Sequence, residues 1–326
     1  MAIYKPIGKT ILIGSVFFLG FFASLHLFDV PYGFAKEKDS HHLVILGDPH
    51  LPGRNIIEKE NVIKTINSWD NVDMVVALGD ISFELGTADE LMYAKKFFSQ
   101  LQKPLWIVAG NHDYIYDDFF DAKGRKRKAS AGTQQQKLQR FTKAFDLPNL
   151  YYSKKPGDYL LIFLSTDELG SYDLARVSAG QMDWLRSELA RNKGLPTIIF
   201  FHAPLKGTLK NYNKDVNTPN FVAQPEEKIR ELILQNPQIF LWVSGHTHTP
   251  ATNESYASDI NLYEKQVTNI HNCDINRGTI WTNSLFLHPD KVITKTFNHK
   301  TGVWMETLER TVIPQKTIGG RSRANP

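Results

Sequence analysis

The sequence predicts an α/β fold from residue 42 onward, and three observations predict it. Short β-branched, apolar runs alternate with amphipathic stretches along the body of the chain, which is the pattern of strands separated by helices. Thr87-Ala-Asp-Glu90 and Ser178-Ala-Gly-Gln181 each stand ahead of an apolar-periodic segment, as capping boxes do at helix starts. The last three apolar runs follow one another without a helical segment between them, so they should pair as an antiparallel meander.

The elements are justified in order. Lys5 and Lys9 precede the apolar run 10–28, with no acidic residue before it. A basic start and an apolar stretch read as an export signal, and this run also has the length of a spanning helix. Gly33-Phe34-Ala35 offers small residues where a signal peptidase reads. Residues 1–35 are therefore expected to be a signal peptide or an N-terminal membrane anchor, and 36–41 a linker. Either places the body outside the cytoplasmic membrane, periplasmic or extracytoplasmic, because the lysines stay inside.

Strands are expected at 43–46, 74–78, 105–108, 159–164, 197–201 and 240–243, then in the meander at 279–283, 291–297 and 303–308. The box at Thr87 opens a helix with Leu91, Ala94, Phe98 and Leu101 on one face. The box at Ser178 leads into Trp184, Leu185 and Leu189, and a third helix starts near Pro225 with Ile229, Leu232 and Leu234. Residues 117–136, which hold the basic run Lys123-Gly-Arg-Lys-Arg-Lys128, and residues 206–224 read as long loops, which in compact domains are often lids or binding loops. Residues 42–312 are expected to form one globular domain, and 313–326 read as a disordered polar tail.

Composition narrows the function. The chain is 42% hydrophobic and 22% charged over 326 residues, so it can build a sizeable core. A net charge of +4 is too small to argue for nucleic acid, and no protein partner is indicated. Cys273 is the one cysteine, which excludes an intramolecular disulfide and a cysteine-rich metal site.

The chemistry is carried by five short motifs, each after its own apolar run: Gly47-Asp-Pro-His50, Gly79-Asp80, Gly110-Asn-His-Asp113, His202, and Gly245-His-Thr-His248. Ligands gather beyond the carboxyl ends of strands in open α/β sheets, so five distant segments can deliver side chains to one place. Asp48, His50, Asp80, Asn111, His202, His246 and His248 are oxygen and imidazole donors without a thiolate, a set that suits Mn, Fe, Co or Zn. Seven donors are too many for one such ion and enough for two if a carboxylate bridges, and paired ions are the usual clamp for displacement at phosphorus. Taken singly, each motif is more simply a turn or a hydrogen-bonded histidine. Their joint occurrence in order carries the reading.

That ordered set resembles the calcineurin-like metallophosphoesterase superfamily, over residues 42 to 310. The resemblance implies a four-layer α/β/β/α sandwich of two mixed sheets. It implies one ion held by Asp48, His50, Asp80 and His248, a second held by Asp80, Asn111, His202 and His246, and His112 beside the metals as the proton donor. The expected reaction is hydrolysis of phosphate monoesters or diesters, of a small phosphate-ester substrate, by a metal-bridged hydroxide. The arginine that follows the Gly-Asp of protein phosphatases is missing from Gly79-Asp-Ile-Ser-Phe-Glu84, and Phe83 stands where purple acid phosphatases place a tyrosine. The motifs look most like the bacterial phosphodiesterase-type branch.

Arg54, six residues after Asp48, is a candidate for a substrate phosphate, weighed against a solvated surface arginine. The basic run 123–128 is a candidate for attracting an anionic substrate or phospholipid headgroups, weighed against a solvated loop. The competing functions are a catalytically silent metal-binding scaffold and an exported binding module for anionic lipid or wall polymer. The complete donor set with His112 favours the enzyme.

Overall fold

A computed structural model describes residues 40–315, which lie within the unit Lys38–Pro326. The expected leader and most of the expected tail fall outside the described residues. No helix among those described is long and apolar enough to cross a membrane.

Two mixed sheets face each other. The first takes β1 (His41–Leu46), β2 (Val72–Leu78), β3 (Leu105–Val108), β10 (Trp281–Leu287), β11 (Val292–Asn298), β12 (Val303–Trp304) and β13 (Arg310–Val312) in the order β12-β11-β10-β1-β2-β3, with β13 also on β11. The second takes β4 (Tyr152–Lys154), β5 (Leu160–Phe163), β6 (Thr197–Phe200), β7 (Ile239–Ser244), β8 (Leu262–Tyr263) and β9 (Val267–His271) in the order β4-β5-β6-β7-β9-β8. β1, β2 and β3 are parallel, as are β5, β6, β7 and β9. The final strands pair antiparallel, as the uninterrupted run of strands predicts.

The side-chain alternation of each strand builds the layers. Leu43 and Ile45 of β1 point into the sandwich with Leu161, Phe163, Ile198 and Phe200 of the second sheet. Val44 and Leu46 point outward, onto α1 (Ile56–Asn67), α2 (Ala88–Phe98) and α3 (Ala131–Ala144). On the far side, Leu160, Ile162 and Ile199 pack against α4 (Ala179–Arg191) and α5 (Glu226–Gln235). Strands buried on both faces read as continuous apolar runs, which is why their positions were legible.

The differences from the expectations have local causes. β1 opens at His41, inside the stretch expected to be a linker. The expected loop 117–136 ends early, because α3 begins at Ala131 with Ser130 capping the Thr133 amide. Its sequence, Ala-Gly-Thr-Gln-Gln-Gln, buries Leu138 and Phe141 and shows little other apolar periodicity. Thr87 and Glu90 form the complete capping box expected of them. At Ser178 only half a box forms, since the Gln181 side chain bonds both backbone groups of Ser165 instead. The run 303–308 is extended only at Val303–Trp304 before a tight turn.

Candidate metal centre

The motifs converge where the parallel strands of both sheets end. Asp48 and His50 follow β1, Asp80 follows β2, Asn111 follows β3, His202 follows β6, and His246 and His248 follow β7. All seven expected ligands are brought together there. Ligating atoms of Asp48, His50, Asp80 and His248 lie within 4.8 Å of one another, as do those of Asp80, His202 and His246, and Asp80 belongs to both groups. Asn111 Oδ1 is 3.0 Å from His202 Nε2.

The chain bends sharply to make this possible. Asp48, His50, Asp80, His246 and His248 all have φ between 39° and 64°, a left-handed conformation that costs a non-glycine residue about 1–3 kcal/mol. The flanking strands sustain that strain, each burying several aliphatic side chains worth about 1.5–3 kcal/mol apiece. Two glycines let the backbone pass. A Cβ on Gly245 would sit 2.1 Å from Asp48 Oδ2, and one on Gly110 would sit 2.4 Å from Asp80 Oδ1.

Each imidazole is held from behind. The ring Nδ1 of His202 donates to Leu78 O at 2.8 Å and that of His50 to Phe83 O at 3.0 Å. His246 donates Nε2–H to Asn220 O at 2.8 Å, and His248 Nδ1 lies 3.1 Å from Asp274 Oδ2. A carbonyl can only accept, so in His202, His50 and His246 a proton is fixed on the outward nitrogen and the other nitrogen is turned toward the cluster. This is the usual arrangement behind metal-binding histidines. His50 and His248 bring their inward Nε2 atoms to 3.3 Å from each other.

The electrostatics ask for cations. Burial alone would raise both carboxylates, yet His248 and His202 hold Asp48 below its ordinary range and His202 and His112 hold Asp80 well below it. Burial likewise lowers His202, but the Asp80 and Asp48 carboxylates outweigh it and push the imidazole up to about 9. Two ionised, buried carboxylates beside imidazoles fit divalent cations of the borderline class, which would take the place of the proton that His202 otherwise carries toward Asp80.

His112 sits at the edge of this cluster, its ring edge-on to His50 with centroids 5.0 Å apart. Its amide donates to Asp80 Oδ1 at 2.9 Å and its Nδ1 donates to Glu84 O at 2.8 Å, which turns Nε2 away from that carbonyl. Burial brings the imidazole down to about 4. Asp113 does not orient it. The Asp113 carboxylate accepts from the amides of Gly110, Ser82 and Ile81, tying the loops after β2 and β3 together.

Several contributors had no motif. Asp274 lies just past β9, a strand of Val-Thr-Asn-Ile-His that was not expected; had it been, Asp274 would have stood at a strand's carboxyl end like the others. Lys59 is fully buried and donates to His50 O, Pro52 O and Asn276 Oδ1, locking the β1–α1 loop to the segment after β9. Arg54, and Lys126 of the basic run, line the same pocket as His50, His112 and His248.

The comparisons agree with this geometry. A family model described as calcineurin-like phosphoesterase matches residues 41–250. An uncharacterized protein of Schizosaccharomyces pombe is 25% identical over 302 residues, covering 71% of this chain and 68% of its own length. The crystal structure of a dimetal phosphatase from Danio rerio superposes with a TM-score of 0.56 at 14% identity, over 84% of this chain and 99% of that one. A purple acid phosphatase from yellow lupin, Lupinus luteus, gives a TM-score of 0.52 at 14% identity, over 81% of this chain and 52% of that one. At such identities the two structures share the fold.

Proposed function

The chain belongs to the calcineurin-like phosphoesterase family, and from that premise we propose that it is an exported, two-metal hydrolase of phosphate monoesters or diesters, of the bacterial phosphodiesterase type. Metal-dependent phosphoester hydrolysis follows from the family together with the donor cluster. The observation that carries the two-ion reading is that two donor groups share the Asp80 carboxylate. Asp48, His50 and His248 complete one group, and Asn111, His202 and His246 the other. Export rests on the basic start and apolar run of residues 1–35.

Bound divalent ions supply Lewis acidity toward phosphoryl oxygens and acidify water. The chain's own residues do the rest. Asp80 and Asp48 supply the negative charge that would hold the ions, and the carbonyls behind His50, His202 and His246, with Asp274 behind His248, aim the other nitrogen of each ring inward. His112, its Nδ1–H committed to Glu84 O, presents Nε2 to the pocket and gives the departing alkoxide its proton. Because burial keeps the free imidazole neutral at pH 7, the proton it would pass on is the one released by the attacking water and taken up at Nε2 before the alkoxide departs.

The test uses the full chain loaded with Mn. Asp80→Asn should lose both metal content and turnover. His112→Ala should keep its metal and lose about 10²–10⁴-fold on alkyl esters, with little loss on aryl esters whose leaving oxygen needs no proton. Two metals per chain in Asp80→Asn would sink the ligand assignment. Equal losses on alkyl and aryl esters would sink the role of His112.

A further inference from the structure

The pocket over the metal centre has a volume of about 350 Å³, with His50, His112 and His248 among its lining and Arg54, Lys126 and Arg277 at its mouth. These cations come from three separate segments, and the fold holds two of them together. The Arg54 amide donates to Asn276 Oδ1 at 2.7 Å, and Asn55 Nδ2 donates to the carbonyls of Asn276 and Arg277 at 2.8 and 2.9 Å. Lys59 Nζ reaches the same Asn276 Oδ1 at 2.8 Å. Arg54 and Arg277 therefore sit on two loops strapped to each other. Lys126 comes from the basic run, its ammonium 5.3 Å from the centroid of the Tyr116 ring, which in turn packs edge-on against His112.

The carboxylates of the pocket are already engaged. Asp274 Oδ2 is 3.1 Å from His248 Nδ1 and 3.0 Å from Arg277 Nε. Glu84 Oε1 is 3.6 Å from Lys126 Nζ. The Arg54 guanidinium has no carboxylate within ion-pair distance among the described residues. Arg54, Arg277 and Lys126 stand against two carboxylates, Asp274 and Glu84, so the mouth carries positive charge beyond what its carboxylates balance.

The phosphoryl group under attack is served by the ions that the Asp and His cluster holds. Side-chain cations beyond that cluster are surplus to a substrate with a single charged group. We infer that the substrate carries a second anionic group, a phosphate or a carboxylate displaced from the reacting phosphorus, and that Arg54, Arg277 and Lys126 form its subsite. Guanidinium forks suit either oxyanion bidentately. The inference rests on the phosphoesterase reading above and narrows its substrate class.

Calorimetric titration of the full-length, Mn-loaded chain with propylphosphonate and with propane-1,3-bisphosphonate tests it without relying on turnover. The two ligands share one phosphonate and differ in the second. The bisphosphonate should bind about tenfold tighter at low salt, the size expected of a charge-assisted contact. That preference should shrink as salt screens the rim. R54Q, K126Q and R277Q should each reduce the ratio, and the triple variant should abolish it. Equal affinities in the wild type, or a preference that survives in the triple variant and so comes from the metal alone, would overturn the subsite. Phosphate release from propyl phosphate and phenol release from an aryl phosphodiester by the same preparation decide the phosphoesterase reading separately. A chain inactive on both that still prefers the bisphosphonate would keep the subsite and lose the enzyme.

Discussion

Asp274 touches His248 on one side and Arg277 on the other, and its effect is exerted through them. The carboxylate behind a metal-bound imidazole fixes its tautomer and raises its basicity, and losing such a partner typically weakens metal binding about 10–100-fold. Asp274→Asn should lower Mn affinity by that amount in a metal titration, with the protein still folded. Unchanged affinity would leave Asp274 as an anchor for Arg277 only. The candidate ligands were legible because each stands in a short motif that opens after an apolar run, all but that of His202 beginning with a glycine. Most of their supports were not, because Leu78, Phe83, Glu84 and Asn220 act through main-chain carbonyls. Any residue type can present a carbonyl, so the sequence carries no mark of it. The same holds for Asp113, whose carboxylate acts through three main-chain amides.

Among elements, the start of α2 does more than begin a helix. The Glu90 carboxylate accepts from the amides of Glu84, Leu85, Gly86 and Thr87 at 2.7–3.1 Å. From the other side, Lys137 of α3, 1% exposed, donates to Leu85 O at 2.6 Å and to Gly86 O. Together they hold the segment whose carbonyls orient His50 and His112. A capping interaction is worth about 1 kcal/mol, and leaving several buried amides unpaired adds to that. Glu90→Ala should therefore cost about 2 kcal/mol or more in denaturant unfolding and lower kcat with metal bound. A stability loss with kcat unchanged would confine Glu90 to the helix end. The capping box was readable from Thr87 and Glu90 three residues apart. The further amides were not, since they precede the box in a loop without its own signal. α3 escaped for the opposite reason: its first turns are polar, and its lysine is buried where lysines rarely are.

On the scale of the whole molecule, a buried histidine outside the donor set should set part of the acid limit. His271, 1% exposed, contacts Thr208 and has its pKa brought down to about 3, burial being the main cause. A folded value below the unfolded one of about 6.5 means that its contribution is fully present above pH 6.5 and is lost as the pH falls from there toward 3. Urea unfolding of His271→Asn should show a shallower loss of stability between pH 6.5 and 4 than the wild type. Parallel curves would assign that loss to other groups. The α/β class and the final meander were legible from periodicity. The four layers followed from the resemblance and match the structure, whereas the order of strands within each sheet left no mark in the sequence. In the first sheet β1 lies between β2 and β10, so a strand made early is completed by one made some 240 residues later: Ser284 of β10 faces Val44 of β1. Pairings so distant are slow to close. On a ribosome, where domains fold as they emerge, Asp48, His50 and Asp80 appear first and His202, His246 and His248 later. The open side of β1 stays uncovered until almost the whole chain has been synthesised. A product truncated before β6 would carry Asp48 and Asp80 without the later histidines that complete the donor cluster.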